Sequence, residues 1–191
     1  MLDDIALLIV LFVALVLYYL LSKSDLISYY IDTSISTDFA YEAHNILLAS
    51  NVNKTHKIGP ADSKDQSDIE IYLVPRKDMI KMRTKPDEYY PGTNKKIYFS
   101  WTYLRPKPVI YIDQDNWLYG VPESGLSLSD YRKYVIQHEF MHALGYDHQP
   151  CNVETAINGV CPIMFQSTRG CPKGFACGKE ITPVDYKKLL K

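Results

Sequence analysis

The sequence predicts an α+β fold: a twisted mixed sheet with packed helices, a loop-rich C-terminal part, and one apolar helix ahead of the domain. Three observations lead there. Short runs rich in Ile, Val and Tyr alternate with stretches of helical period. Pro and Gly punctuate the chain, densely so after Pro150. The stretch Ile5–Leu21, IALLIVLFVALVLYYLL, carries no charge at all.

That first stretch is long enough to span a bilayer at the short end of the range. Tyr18 and Tyr19 suit an interfacial position. A cleaved signal peptide is the rival reading. Against it stand the acidic start Met1-Leu2-Asp3-Asp4 and the lack of a small-x-small cleavage site. The chain therefore divides into an anchor over 1–23 and one domain over 24–191, which suits a length of 191 residues.

Within the domain, Leu26–Ile31 reads as a first strand. Ser36 or Thr37 caps a helix running to about Ala49, with Phe39, Ala43, Ile46 and Leu47 on one face. Asn51–Ser67 is polar and reads as a loop. Ile69–Val74 is a strand closed by Pro75. Asp78–Thr93 reads as an exposed excursion. Lys96–Tyr103 and Val109–Ile112 are two further strands, with Pro106 and Pro108 between them. Trp117–Ser127 connects to a helix with Ser129 as N-cap and Asp130 in its first turn. Its inward stripe is Tyr131, Tyr134, Val135, His138, Met141 and His142. Pro150–Lys179 is irregular, and Thr182-Pro183-Val184-Asp185 starts a short last helix.

A formal net charge of −1 provides no basic footprint, so nucleic acid is excluded as a partner class. The 16 tyrosines suit strands and half-buried surfaces without naming a ligand.

The stretch that carries chemistry is His138-Glu139-Phe140-Met141-His142-Ala143-Leu144-Gly145-Tyr146-Asp147-His148. It reads H-E-x-x-H-x-x-G-x-x-H, and it holds three of the chain's five histidines. On a helix, residues four apart share a face, so His138 and His142 point the same way. Gly145 can take a positive φ and turn the chain, which returns His148 toward the same point. Three imidazoles and one open position are the pattern of a catalytic zinc ion rather than a closed structural one. Glu139, one step round the helix, is placed to act as general base toward a water the metal activates. Asp147 reads as a cap of the turn or a residue that orients a ligand histidine. His44 and His56 lie upstream in polar surroundings and read as ordinary exposed or half-buried histidines.

This motif resembles the metzincin clan of zinc endopeptidases. That clan carries a methionine turn beneath the metal, and Cys161-Pro162-Ile163-Met164-Phe165 is the matching segment, with Met164 the methionine. Ser67–Leu73 and Val109–Asp113 look like the strands that precede the zinc helix in such enzymes. The run from Asn116 through Ile136, with the Cys-Pro turns after the motif, is also similar to an uncharacterised metzincin-like family of exported bacterial proteins. The resemblance covers roughly the last two thirds of the chain and is strong only in the motif. It implies a zinc-dependent endopeptidase with one catalytic Zn2+, a protein or peptide substrate, and substrate added as a strand to the sheet edge. Two departures matter. Some metzincins place a tyrosine two residues after the methionine, where this chain has Gln166. No cysteine precedes Cys151, so no upstream thiol can block the metal.

Two other functions fit the same residues. One is a non-catalytic membrane-anchored scaffold or assembly part that retains the zinc site; Glu139 argues against it. The other is a zinc hydrolase acting on a non-peptide amide.

Cys151, Cys161, Cys171 and Cys177 all fall after the motif, flanked by Pro and Gly. Their spacings do not form a paired C-x-x-C zinc ribbon. They suggest two disulfides, for which three pairings exist, Cys151 with Cys161 and Cys171 with Cys177 being the short-loop choice. Disulfides imply an extracytoplasmic, oxidising location for the domain, with membrane attachment through the N-terminal helix. Four reduced thiols in a cytosolic domain are the alternative.

Overall fold

The computed structural model describes residues 12–15, 26–84, 86–90 and 92–178. The anchor expected over 1–23 falls outside these residues except for Phe12–Leu15, which are helical. Among the described residues no helix is long and apolar enough to cross a membrane. The expected last helix at Thr182 also lies outside them.

The architecture is α+β, built on one five-stranded sheet. In chain order its strands are β1 (Ile27–Ile31), β2 (Ile58–Pro60), β3 (Ile69–Val74), β6 (Trp101–Tyr103) and β7 (Val109–Asp113), ordered across the sheet β2-β1-β3-β7-β6. The sheet is mixed. β2, β1, β3 and β7 run parallel, and β6 alone is antiparallel, with Trp101 opposite Tyr111 and Tyr103 opposite Val109. Parallel neighbours need a crossover, and α1 (Thr37–Ala49) begins the one between β1 and β2. Ser36 caps α1 by accepting the Phe39 N–H.

The core lies between one sheet face and two helices, α1 and α5 (Leu128–Ala143). β3 alternates as a strand must: Ile69, Ile71 and Leu73 enter the core, joined by Ile110 and Ile112 from β7. Phe39, Ala43 and Leu47 meet them from α1. From α5 come Tyr131, Val135, Phe140 and Met141. Burial of this size and continuity is what holds the helix that carries the motif against the sheet.

Several local expectations are corrected. The polar stretch after Ala49 is not a plain loop. It forms α2 (Asn51–His56) and then β2, because Ser50 closes α1 and also caps α2 by accepting the Asn53 N–H. Val52 and Ile58 anchor that stretch in the core. The supposed excursion holds α3 (Arg76–Met82), whose Met79 is buried and whose Arg76 makes a forked pair with the buried Asp113. The single strand expected over Lys96–Tyr103 is two. Lys96–Ile97 (β5) pairs antiparallel with Glu88–Tyr89 (β4) in a separate ribbon, and Trp101–Tyr103 joins the main sheet. The connection after β7 contains α4 (Gln114–Tyr119), capped by Asp113.

Candidate metal centre

The helix α5 begins earlier than the sequence reading placed it. Its N-cap is Ser127, which accepts the Asp130 N–H, and not Ser129. Asp130 sits three residues on and takes the Ser127 hydroxyl on its carboxylate at 2.7 Å, a reciprocal cap. The helix ends at Ala143. Leu144 N–H closes on Phe140 and Met141 carbonyls, and Gly145 turns the chain with φ +91°. A side chain at Gly145 would meet no atom within 4 Å, so the backbone angle alone explains glycine there.

That turn delivers the third histidine. His142 Nε2 and His148 Nε2 lie 3.0 Å apart. The ring centroids of His138 and His142 are 4.8 Å apart, those of His138 and His148 5.2 Å, and those of His142 and His148 4.6 Å. One ring nitrogen from each of the three lies within 4.8 Å of the other two. Ligand nitrogens about 2.0–2.1 Å from a tetrahedral zinc stand about 3.3 Å from one another, and the 3.0 Å between His142 and His148 is close to that.

The tautomers fit as well. The Nδ1–H of His138 donates to the Ile163 carbonyl at 2.7 Å, and that of His142 to the Tyr146 carbonyl at 2.7 Å. Each of these imidazoles thus keeps its Nε2 for a metal. Burial pushes the His138 pKa down to about 3 and lowers that of His142, so both rings are neutral and ligand-competent at pH 7.

Glu139 is buried beside them, at 5 % exposure. Its Oε2 accepts a hydrogen bond from the Thr102 hydroxyl at 2.9 Å. Burial pushes its pKa up to about 7, and the Thr102 bond offsets part of that rise. A carboxyl that titrates near neutrality is suited to take and return a proton.

Met164 is buried in the core cluster. The turn that carries it is tied on both sides of the site, through the Ile163 carbonyl to His138 and through the Met164 carbonyl to the Gln149 N–H at 3.1 Å. The sulfurs pair Cys151 with Cys161 and Cys171 with Cys177. Cys161, Cys171 and Cys177 also cluster within 4.8 Å, but as disulfide sulfurs they are not thiolate ligands.

A cleft of about 430 Å³ opens over the centre. The edge strand β6 lines one side through Trp101, Thr102 and Tyr103, and Val135, His138 and Thr168 face it. A larger hollow of about 700 Å³ lies on the opposite face of the sheet, beside Tyr72 and Tyr111, away from the histidines.

Some residues near the centre have roles the sequence did not indicate. Tyr134 lies with its ring 5.0 Å from that of His138, and its hydroxyl donates to the Phe165 carbonyl and accepts the Ser167 N–H. Thr102 reaches Glu139 across 37 positions of sequence. Backbone carbonyls of Ile163 and Tyr146 orient His138 and His142, and the exposed Asp147 lies close enough to act on His142 by its charge. His44 bonds the Tyr29 hydroxyl and His56 the Tyr146 hydroxyl, so neither belongs to the ligand set. Gln166 lines the cleft.

No curated protein matches the chain. Residues 51–183 match a family described as "Protein of unknown function (DUF3152)", a span that includes every residue of this centre.

Proposed function

The chain belongs to that family of unknown function, and we propose that it is a membrane-anchored, zinc-dependent endopeptidase of metzincin type, with its domain on the oxidising side of the membrane. The observation that carries the reading is the convergence of His138, His142 and His148 beside a buried Glu139 at the floor of an open cleft. His138, His142 and His148 would hold one Zn2+, and Gly145 and Met164 shape the neighbouring turns. Zinc bound there supplies a Lewis acid that makes water nucleophilic near neutral pH and polarises a carbonyl.

The chain's own residues do the rest. Glu139 accepts a proton from the attacking water and returns it to the leaving amine. The carbonyls of Ile163 and Tyr146 hold the two helix imidazoles in the ligand tautomer. Strand β6 is the outermost of the sheet and borders the cleft, so an extended peptide can add there as a further strand. Half-buried Trp101 and exposed Tyr103 lie along the same cleft.

The test is metal content and proteolysis together. The full-length protein should bind one zinc ion and cleave an unfolded protein such as casein. A chelator should stop cleavage, and added zinc should restore it. Glu139→Ala should keep the zinc and lose cleavage by at least about a hundredfold. Full cleavage by Glu139→Ala would refute the assigned role. Bound zinc without turnover would favour a scaffold.

A further inference from the structure

Strand β6 alternates its side chains like any strand, and Thr102 projects opposite to Trp101 and Tyr103. That direction takes its hydroxyl to α5, where it lies 2.9 Å from Glu139 Oε2 and 2.9 Å from the Glu139 backbone carbonyl. A hydroxyl has one proton. An ionised carboxylate is the stronger acceptor of the two, and a buried one needs a donor more than a helix carbonyl does.

Glutamate has three side-chain torsions, and holding it in one geometry costs entropy unless a neighbour fixes it. Thr102 is well made for that task. Its β-branched side chain is stiff at χ1, and it stands on a strand hydrogen-bonded to β7 rather than on a loop. Resting on the peptidase reading, we propose that Thr102 is a positioning residue: its hydroxyl binds Oε2 of Glu139 and leaves Oε1 turned toward the attacking water. The strand that borders the substrate cleft and the base thereby share one rigid support. Small misplacements of a reacting group cost large factors in rate, which gives this bond its consequence.

The experiment compares the full-length parent with Thr102→Val and Thr102→Ser, all loaded with zinc. Valine keeps the shape and removes the hydroxyl, and serine keeps the hydroxyl. Thr102→Val should lower kcat about tenfold or more and leave KM within about twofold, with one zinc still bound. Thr102→Ser should recover to within about threefold of the parent. A second readout needs no turnover. Acetohydroxamate binds zinc and hydrogen-bonds to the base carboxylate, so its Kd should rise about fivefold or more in Thr102→Val and stay near the parent's in Thr102→Ser. Parent kcat in Thr102→Val, serine as slow as valine, or equal hydroxamate affinity in all three proteins would overturn the role. If the parent cleaves no protein, the peptidase reading falls, and the hydroxamate comparison still decides whether Thr102 holds the base.

Discussion

The Nδ1–H of His138 and the carbonyl of Ile163 meet at 2.7 Å, which joins the middle of α5 to the turn of Met164. One bond therefore ties a proposed ligand to a segment 25 positions later in the chain. The packing of that segment supports the proposed metal site.

Met164→Ala should test this support. Met164 is 2 % exposed, and its loss leaves a cavity in the core. Such truncations cost about 2–5 kcal/mol. Urea unfolding should show a lower midpoint with an unchanged slope. A change under about 0.5 kcal/mol would mean the side chain is not packed as described.

Gly145→Ala separates backbone strain from crowding. The added Cβ meets nothing within 4 Å, so the whole cost comes from the φ of +91°. That amounts to about 1–2 kcal/mol. His148 lies just beyond the turn, so zinc affinity should fall as well. Competition against a chromophoric chelator measures this directly. Unchanged affinity would show that His148 reaches the site without help from the turn.

His56 gives a pH test away from the ligands. Its Nε2 lies 3.0 Å from the Tyr146 hydroxyl, and burial lowers its pKa while a bond involving Val52 partly opposes that. The folded chain therefore prefers the neutral ring. As pH falls through the unfolded value near 6.5, the unfolded chain takes up the proton more readily and stability declines. His56→Gln removes that contribution. Its loss of stability between pH 7.5 and pH 5.5, read from denaturation midpoints, should be smaller than the parent's. An equal loss would place the acid sensitivity elsewhere.

The cystine pairs should hold the irregular segment that carries Met164. Cys151→Ser with Cys161→Ser should cost about 2–4 kcal/mol. Intact mass after alkylation without reductant should show no labelled cysteine. Four labelled thiols would remove the argument for an oxidising compartment.

The sequence made some of this visible and hid the rest for physical reasons. The gathering of the three histidines was legible because helical geometry converts a spacing of four into a shared face, and Gly145 marks the turn. Ile69–Val74 was legible because its buried Ile and Leu alternate. The start of α5 was not, since Ser127 and Ser129 are both good caps and only the reciprocal bond to Asp130 decides between them. α2 and β2 stayed hidden because Val52 and Ile58 are the sole strong apolar signals within a polar run. Thr102 and Tyr134 could not be assigned roles, since their bonds to Glu139 and Phe165 exist only after the sheet, the helix and the turn are assembled.

Zinc K-edge X-ray absorption on the full-length protein loaded with one equivalent of zinc reads the ligand shell itself. Three imidazole nitrogens and one oxygen are expected, all at about 2.0–2.1 Å. A sulfur shell at about 2.3 Å, or a fourth imidazole in place of the oxygen, would contradict it.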